Sequence, residues 1–247
     1  MTRRVFRLRP EATGWRVAIA ALAVFAAAGS AAAQTARTVT YTPASTGGSH
    51  TFAILLPTDY DSSERRYPVL YLMHGGGQNH AAFPARPWFR KVLGGRPMIV
   101  VMPDGGRSAE RYSDLIAGDL VRFVDANYRT MPSREGRAIA GISLGGLGAA
   151  MLALRHPDTF AIAGTLSGAV NETLVPDAPA PTAPYLYVVC GTSDMFIERT
   201  RAFVGRLQAA GTPHEYHEVP GAGHTWALWD AYMPAFVDLL AKRDGWH

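Results

Sequence analysis

Past residue 34 the chain alternates between two hydrophobic patterns. Short runs rich in Val, Ile, Leu and Tyr sit between turn residues: "TVTYT" from Thr38, "TFAILLP" from Thr51, "PVLYLMH" from Pro68 and "PMIVVMP" from Pro97. "GRAIAGI" from Gly136, "AIAGTLS" from Ala161, "PYLYVVC" from Pro184 and "HEYHEVP" from His214 continue the series. Several are almost unbroken in apolar residues, as strands covered on both faces are. Between them lie amphipathic stretches that begin at Asp114, Leu144, Ile197 and Trp226. In the last, Leu228, Tyr232, Phe236 and Leu240 recur at four-residue spacing and give one apolar face. Strands that alternate with helices predict a mostly parallel sheet of about eight strands with helices on both faces. The first two strands have no helix between them and are expected to form an antiparallel hairpin at one edge.

The first 33 residues stand apart from this pattern. Arg3, Arg4, Arg7, Arg9 and Arg16 precede an apolar run, Val17 to Ala28, that is too short to span a bilayer. Ala31, Ala32 and Ala33 then match a small-residue cleavage site. Residues 1–33 therefore read as a signal peptide rather than a membrane anchor, and the product is expected to be secreted or periplasmic, starting at Gln34. "TRRVFRL" also resembles a twin-arginine signal, so the choice between the general and twin-arginine export routes stays open.

The leader alters the charge balance. It carries five arginines and one glutamate, so of 24 basic and 20 acidic residues the remainder keeps 19 of each. A formally neutral domain offers no basic patch for nucleic acid or an anionic membrane. Cys190 is the sole cysteine, so no intrachain disulfide can form; within the strand "YLYVVC" it reads as a small buried apolar residue. The Pro-rich "NETLVPDAPAPTAP" (Asn171 to Pro184) reads as a surface loop, because the candidate site draws on residues from both sides of it. One domain over residues 34–247 is expected.

The candidate chemistry starts at "IAGISLGGLGAA", Ile139 to Ala150. A strand delivers Ser143 and a helix begins at once. Gly141 and Gly145 leave room for a sharp turn, while Gly146 and Gly148 let the helix lie close on the sheet. Gly-x-Ser-x-Gly alone is a weak signal; its strand–turn–helix context strengthens it. A serine needs a base, and the base needs an orienting acid. In the chain order Ser, acid, His, the base should follow the last strand. There "HEVPGAGHTW" places His224 in a glycine-rich loop, whereas His214 and His217 lie in the strand. Asp194 closes "YLYVVCGTSD" after the preceding strand and is the candidate acid; a cap on the next helix is the other reading, with Glu172 and Asp177 as substitutes. "HGGG" at His74 to Gly77 follows a strand and suits an oxyanion loop, with the Leu144 N–H as second donor. No Gly-Lys-Ser/Thr follows it, which argues against a phosphate loop. No metal-ligand spacing is present, and no cofactor is expected.

Taken together, "YPVLYLMHGGG", "IVVMPDGG", "IAGISLGGLGAAMLALRHPDTF", "LSG", "CGTSD" and "PGAGHTWALW" resemble the esterase D / antigen 85 type branch of the α/β-hydrolase superfamily. That branch includes feruloyl and acetyl-xylan esterases, S-formylglutathione hydrolases, enterochelin-type esterases and mycolyltransferases. The resemblance spans most of residues 50–230 and implies an α/β-hydrolase fold with Ser143 as nucleophile, Asp194 as acid and His224 as base. It implies Gly76 and Leu144 as oxyanion donors, with the choice among the loop glycines open, and Gly75, Gly77 and Trp226 beside the substrate. Phe83, Trp88 and Trp226 are read either as walls of an acyl or aryl pocket or as ordinary packing. The lid common in this superfamily is reduced here to the Pro-rich loop, which implies an open site and argues against a lipase.

The expected activity is that of an exported serine esterase acting on short-chain or aryl esters of feruloyl type, as small molecules or on carbohydrate, without a stable membrane anchor. The alternatives are acyl transfer to a sugar hydroxyl and a non-catalytic binding module. The leader argues against S-formylglutathione hydrolysis, a cytosolic task.

Overall fold

The computed structural model describes residues 35–45, 47–104, 113–178 and 181–246. The signal-peptide reading of residues 1–33, with its cleavage before Gln34, lies outside the described residues. Among the described residues eight strands form one sheet: β1 (Arg37–Tyr41), β2 (His50–Leu55), β3 (Val69–Met73), β4 (Ile99–Pro103), β5 (Arg137–Ile142), β6 (Ile162–Leu166), β7 (Tyr185–Gly191) and β8 (His214–Val219). Their order across the sheet is β1-β2-β4-β3-β5-β6-β7-β8. The β1–β2 and β2–β4 pairs are antiparallel, and every pair from β4 to β8 is parallel. The predicted hairpin thus occupies one edge and β8 the other.

Among the described residues five α-helices cover the sheet: α1 (Pro87–Leu93), α2 (Val121–Asn127), α3 (Leu144–Arg155), α4 (Ile197–Ala209) and α5 (Trp226–Leu240). The two-residue period of the strands divides the core between the two faces. Val69, Tyr71 and Met73 of β3 join Ile99 and Val101 of β4 in a cluster with residues of α2, α3 and α4. Leu70 and Leu72, with Val100 and Met102, enter a second cluster with residues of α1 and α5. Both faces of the central strands are therefore apolar, which is why their sequences lack polar alternation.

Two local features depart from the expected pattern. The stretch predicted as one helix from Asp114 begins with a π-helical segment, Ser113–Leu120, before α2. Within it Asp119 is buried and accepts the Ser45 N–H at 2.9 Å. The apolar spacing of Leu115, Ile116 and Leu120 suits either helical form, so the pattern could not separate them. The seven-residue α1 was not singled out, although Pro87 at its first turn and the buried Trp88, Phe89 and Leu93 mark it. Among the described residues no helix is long and apolar enough to cross a membrane.

Candidate active site

Parallel strands that all end on one edge bring their following loops together, and the serine, acid and histidine meet there. Ser143 joins β5 to α3 with φ +53° and ψ −119°, an uncommon conformation for a residue with a side chain. The flanking glycines permit it through space rather than flexibility. A Cβ on Gly141 would stand 2.4 Å from the Gly145 carbonyl oxygen. One on Gly145 would stand 2.3 Å from the Met73 carbonyl oxygen and 2.4 Å from that of His74. The turn is pressed against the end of β3 and the start of the glycine loop, so only hydrogen fits at either position. The Ser143 N–H is anchored to the Leu166 carbonyl of β6 at 2.9 Å.

The loops after β7 and β8 are stapled to each other. Thr192 N–H donates to the Val219 carbonyl and Ser193 N–H to that of Ala222, both at 2.9 Å, and Gly221 N–H reaches Thr192 Oγ1 at 2.8 Å. This closure holds Asp194 under His224. Asp194 is buried, and its carboxylate accepts from His224 Nδ1 at 2.9 Å (Oδ2) and 3.1 Å (Oδ1). Oδ1 also accepts the Phe196 N–H at 2.9 Å, just before α4. Asp194 thus contacts His224 and the N–H of the residue before α4, while α4 itself starts without a side-chain cap. Because a carboxylate only accepts, the His224 proton sits on Nδ1 and Nε2 is left as an acceptor. Nε2 lies 2.9 Å from Ser143 Oγ. The result is a continuous hydrogen-bonded chain, Ser143–His224–Asp194. Glu172, in a short 3₁₀ turn, and Asp177, paired with Arg206, contribute nothing to it.

The glycine loop lies beside the serine. A Cβ on Gly75 would be 3.5 Å from Ser143 Cβ, and one on Gly76 would be 4.0 Å from the Leu144 side chain. The Gly75 N–H is taken by Gln78 Oε1 at 3.0 Å. Gly77 turns the loop with φ +75°. Leu144 is the first residue of α3, so its N–H has no earlier carbonyl of the same helix to bond. The helix start also directs its positive dipole end toward Ser143.

Aromatic rings pack around His224. Phe196 and Trp229 approach it edge-to-face at 5.3 and 5.1 Å between centroids. Trp226 packs on Phe83 and Trp229 and is covered by the Arg86 guanidinium at 4.3 Å. Asp230 in turn pairs with Arg86 and accepts Trp88 Nε1–H at 2.8 Å. Phe83 and Trp88 are core residues, so for them the packing reading holds, whereas Trp226 is half-buried. Sequence reasoning missed Phe196, Trp229 and the exposed Met195. Phe196 lies two residues past Asp194, and Trp229 follows Trp226 by one helical turn, which are the signals that point to them. Cys190 is buried as expected, and burial pushes its thiol up to about 11, so it stays protonated at neutral pH. Among the described residues no group of His, Cys, Asp and Glu is placed to hold a metal ion.

The model of the family described as "Putative esterase" matches residues 44–186, more than half of the chain. The chain belongs to this esterase family. It is 33% identical over 237 residues to an esterase of Mycobacterium tuberculosis, a match that covers 69% of this chain and 51% of the relative. A xylanase/feruloyl esterase of Xylanibacter ruminicola is 30% identical over 228 residues, covering 83% of this chain and 31% of that protein. The chain thus spans about half or less of these relatives' lengths. A solved ferulic acid esterase superposes with a TM-score of 0.75 at 22% identity, over 84% of this chain and 98% of that one. The likeness places the esterase-family chain in the α/β-hydrolase fold.

Proposed function

We propose that this chain is a serine esterase that cleaves carboxylic esters through an acyl-enzyme on Ser143. The observation that carries the reading is His224 bridging Ser143 Oγ and the buried Asp194 at a strained strand-to-helix turn. Ser143 Oγ attacks the ester carbonyl while His224 Nε2 takes its proton. The carbonyl oxygen becomes an oxyanion that accepts from the Gly76 and Leu144 N–H groups, with Gly75 and Gly77 shaping the loop around it. Collapse expels the alcohol, which leaves with the proton from His224. Water then enters, gives a proton to His224 and attacks the acyl carbon. The second collapse frees the acid and returns the proton to Ser143. Asp194 stays ionised throughout and stabilises the imidazolium formed in each half-reaction.

The substrates proposed are short-chain and aryl esters of feruloyl type, free or carried on carbohydrate. Support comes from the half-exposed Phe196 packed on His224, from the half-exposed Trp226 packed on Trp229 behind it, and from the feruloyl activities in the relatives' names. The proposed site of action is outside the cytoplasm after removal of residues 1–33.

The test has two arms. A fluorophosphonate probe should label wild-type protein at Ser143 once per chain and leave the Ser143→Ala variant unlabelled. Wild type should hydrolyse methyl ferulate or p-nitrophenyl acetate, with free acid as product. An unlabelled, inactive wild type overturns the reading. Transfer of the acyl group to an added sugar in preference to water would replace it with an acyltransferase.

A further inference from the structure

The peptide bond between Gly75 and Gly76 has a glycine on each side. Such a peptide can flip at little steric cost, because neither flanking residue has a Cβ to oppose it. Its orientation matters. In a trans peptide the C=O and N–H point in opposite directions, so the direction of the Gly75 carbonyl fixes that of the Gly76 N–H. A flipped peptide would present a carbonyl oxygen to the forming oxyanion.

The structure holds this carbonyl in place. His74 Nδ1 lies 2.8 Å from the Gly75 oxygen, and the Gln78 N–H lies 3.3 Å from it. A carbonyl only accepts, so Nδ1 of His74 carries a proton. The other ring nitrogen, Nε2, faces Asp104 Oδ1 at 3.6 Å. The second carboxylate oxygen of Asp104 lies 3.4 Å from Nδ1 of His80, farther along the same loop. Asp104 stands at the end of β4, where its own N–H is bonded to Thr51 of β2 at 2.8 Å. At 3.6 Å the carboxylate is beyond hydrogen-bond distance of Nε2, so it reaches the loop through His80. The His74 ring is almost fully buried, so it has one packed orientation.

We infer that His74 is a positioning residue for the reaction: its buried ring clamps the Gly75–Gly76 peptide so that the Gly76 N–H meets the oxyanion. The inference rests on the proposed nucleophilic role of Ser143. The His74 side chain does not touch substrate. The clamp acts only when charge develops on the carbonyl oxygen, so it raises kcat and leaves ground-state binding unchanged.

The experiment compares wild type, His74→Ala, His74→Asn and His74→Leu. Turnover is divided by the number of sites titrated with fluorophosphonate, which removes any misfolded fraction. An arylboronic acid serves as probe of the tetrahedral state, since its adduct on Ser143 places an oxygen at the oxyanion position. His74→Ala should lose about 10- to 100-fold in kcat per site with KM within about threefold, and boronate affinity should fall in step. His74→Asn should recover most of this, because its Nδ2 can occupy the place of Nδ1 and donate to the same carbonyl. His74→Leu, which fills the buried site without a donor, should lose as much as His74→Ala. Unchanged per-site kcat in His74→Ala overturns the inference, as does a kcat loss with boronate affinity intact. If His74→Ala does not fold, His74→Leu, which keeps the packed volume, decides alone by its kcat and boronate affinity. A fully active Ser143→Ala control would sink the esterase mechanism itself, a separate outcome.

Discussion

Gly145→Ala tests whether the tight turn at Ser143 is a requirement of packing. The added methyl would stand 2.3 Å from the Met73 carbonyl oxygen, where ordinary contact begins near 3.4 Å. About 1 Å of separation must open between the start of α3 and the end of β3. Both obstructing atoms are backbone oxygens of the central sheet and the glycine loop, so neither can rotate away as a side-chain tip can. Overpacking of this kind costs up to about 3 kcal/mol. The better helix propensity of alanine returns at most about 1 kcal/mol, and less in a first turn, leaving a net loss of about 2 kcal/mol. The effect on chemistry should be larger. A shift of about 1 Å between nucleophile and oxyanion donors is worth about a hundredfold in rate. The assay is kcat/KM per fluorophosphonate-titrated site, with urea unfolding on the same preparations. Gly148→Ala is the internal control: its methyl meets the flexible end of Met73, Cε at 2.8 Å, which can swing aside. That variant should stay within about 1 kcal/mol of wild type in stability and keep its activity. If Gly145→Ala retained kcat/KM within about threefold and unfolded at the same urea concentration, the close-packing argument for the motif would be wrong.

Other substitutions probe the remaining parts of the site and core. Ser143→Ala should lose at least about three orders of magnitude in turnover while staying folded; Asp194→Asn should lose about two to four, since the histidine survives without its tautomer fixed. Glu172→Gln and Asp177→Asn should stay near wild type, and a dead variant of either would move the acid assignment. Across p-nitrophenyl esters from acetate to palmitate, kcat/KM should be highest for short acyl chains. An apolar channel would add about 0.8 kcal/mol per buried methylene, so a maximum at palmitate would refute the open site. Asp125→Ala should destabilise the fold by about 3 kcal/mol, because it strands the buried Arg137, whose Nε already lacks a partner. Calorimetry showing an unchanged Tm would refute that reading of the pair.

Much of this architecture can be read from the chain because local signals and global packing agree. The central strands announce themselves, since strands covered on both faces must be apolar throughout, as "IVVMP" and "YLYVVC" are. Ser143 and His224 are legible because the elbow and the final glycine-rich loop have local signatures. Asp194 follows from chain order. What stays hidden depends on contacts between distant segments. The edge-to-face packing of Phe196 and Trp229 on His224 has no local mark, nor has the tie between Asp104 and the glycine loop. The π-helical turns before α2 hide for a different reason: over so few turns, Leu115, Ile116 and Leu120 satisfy more than one helical period.

The strand order gives the three members of the hydrogen-bonded chain unequal mechanical security. Ser143 and the glycine loop grow from β5 and β3, strands with neighbours on both sides. His224 follows β8, which is paired on one side alone and whose residues are mostly half-buried. Edge elements open more readily than central ones, and they do so without melting the rest. Fraying of β8 would draw the histidine away from an otherwise intact sheet. Amide exchange should then be faster in residues 214–219 than in residues 137–142, and loss of ester cleavage on warming should precede loss of the fold. In such a molecule activity monitors the weakest border of the structure, and substitutions that strengthen β8 would extend working life without raising the stability of the centre.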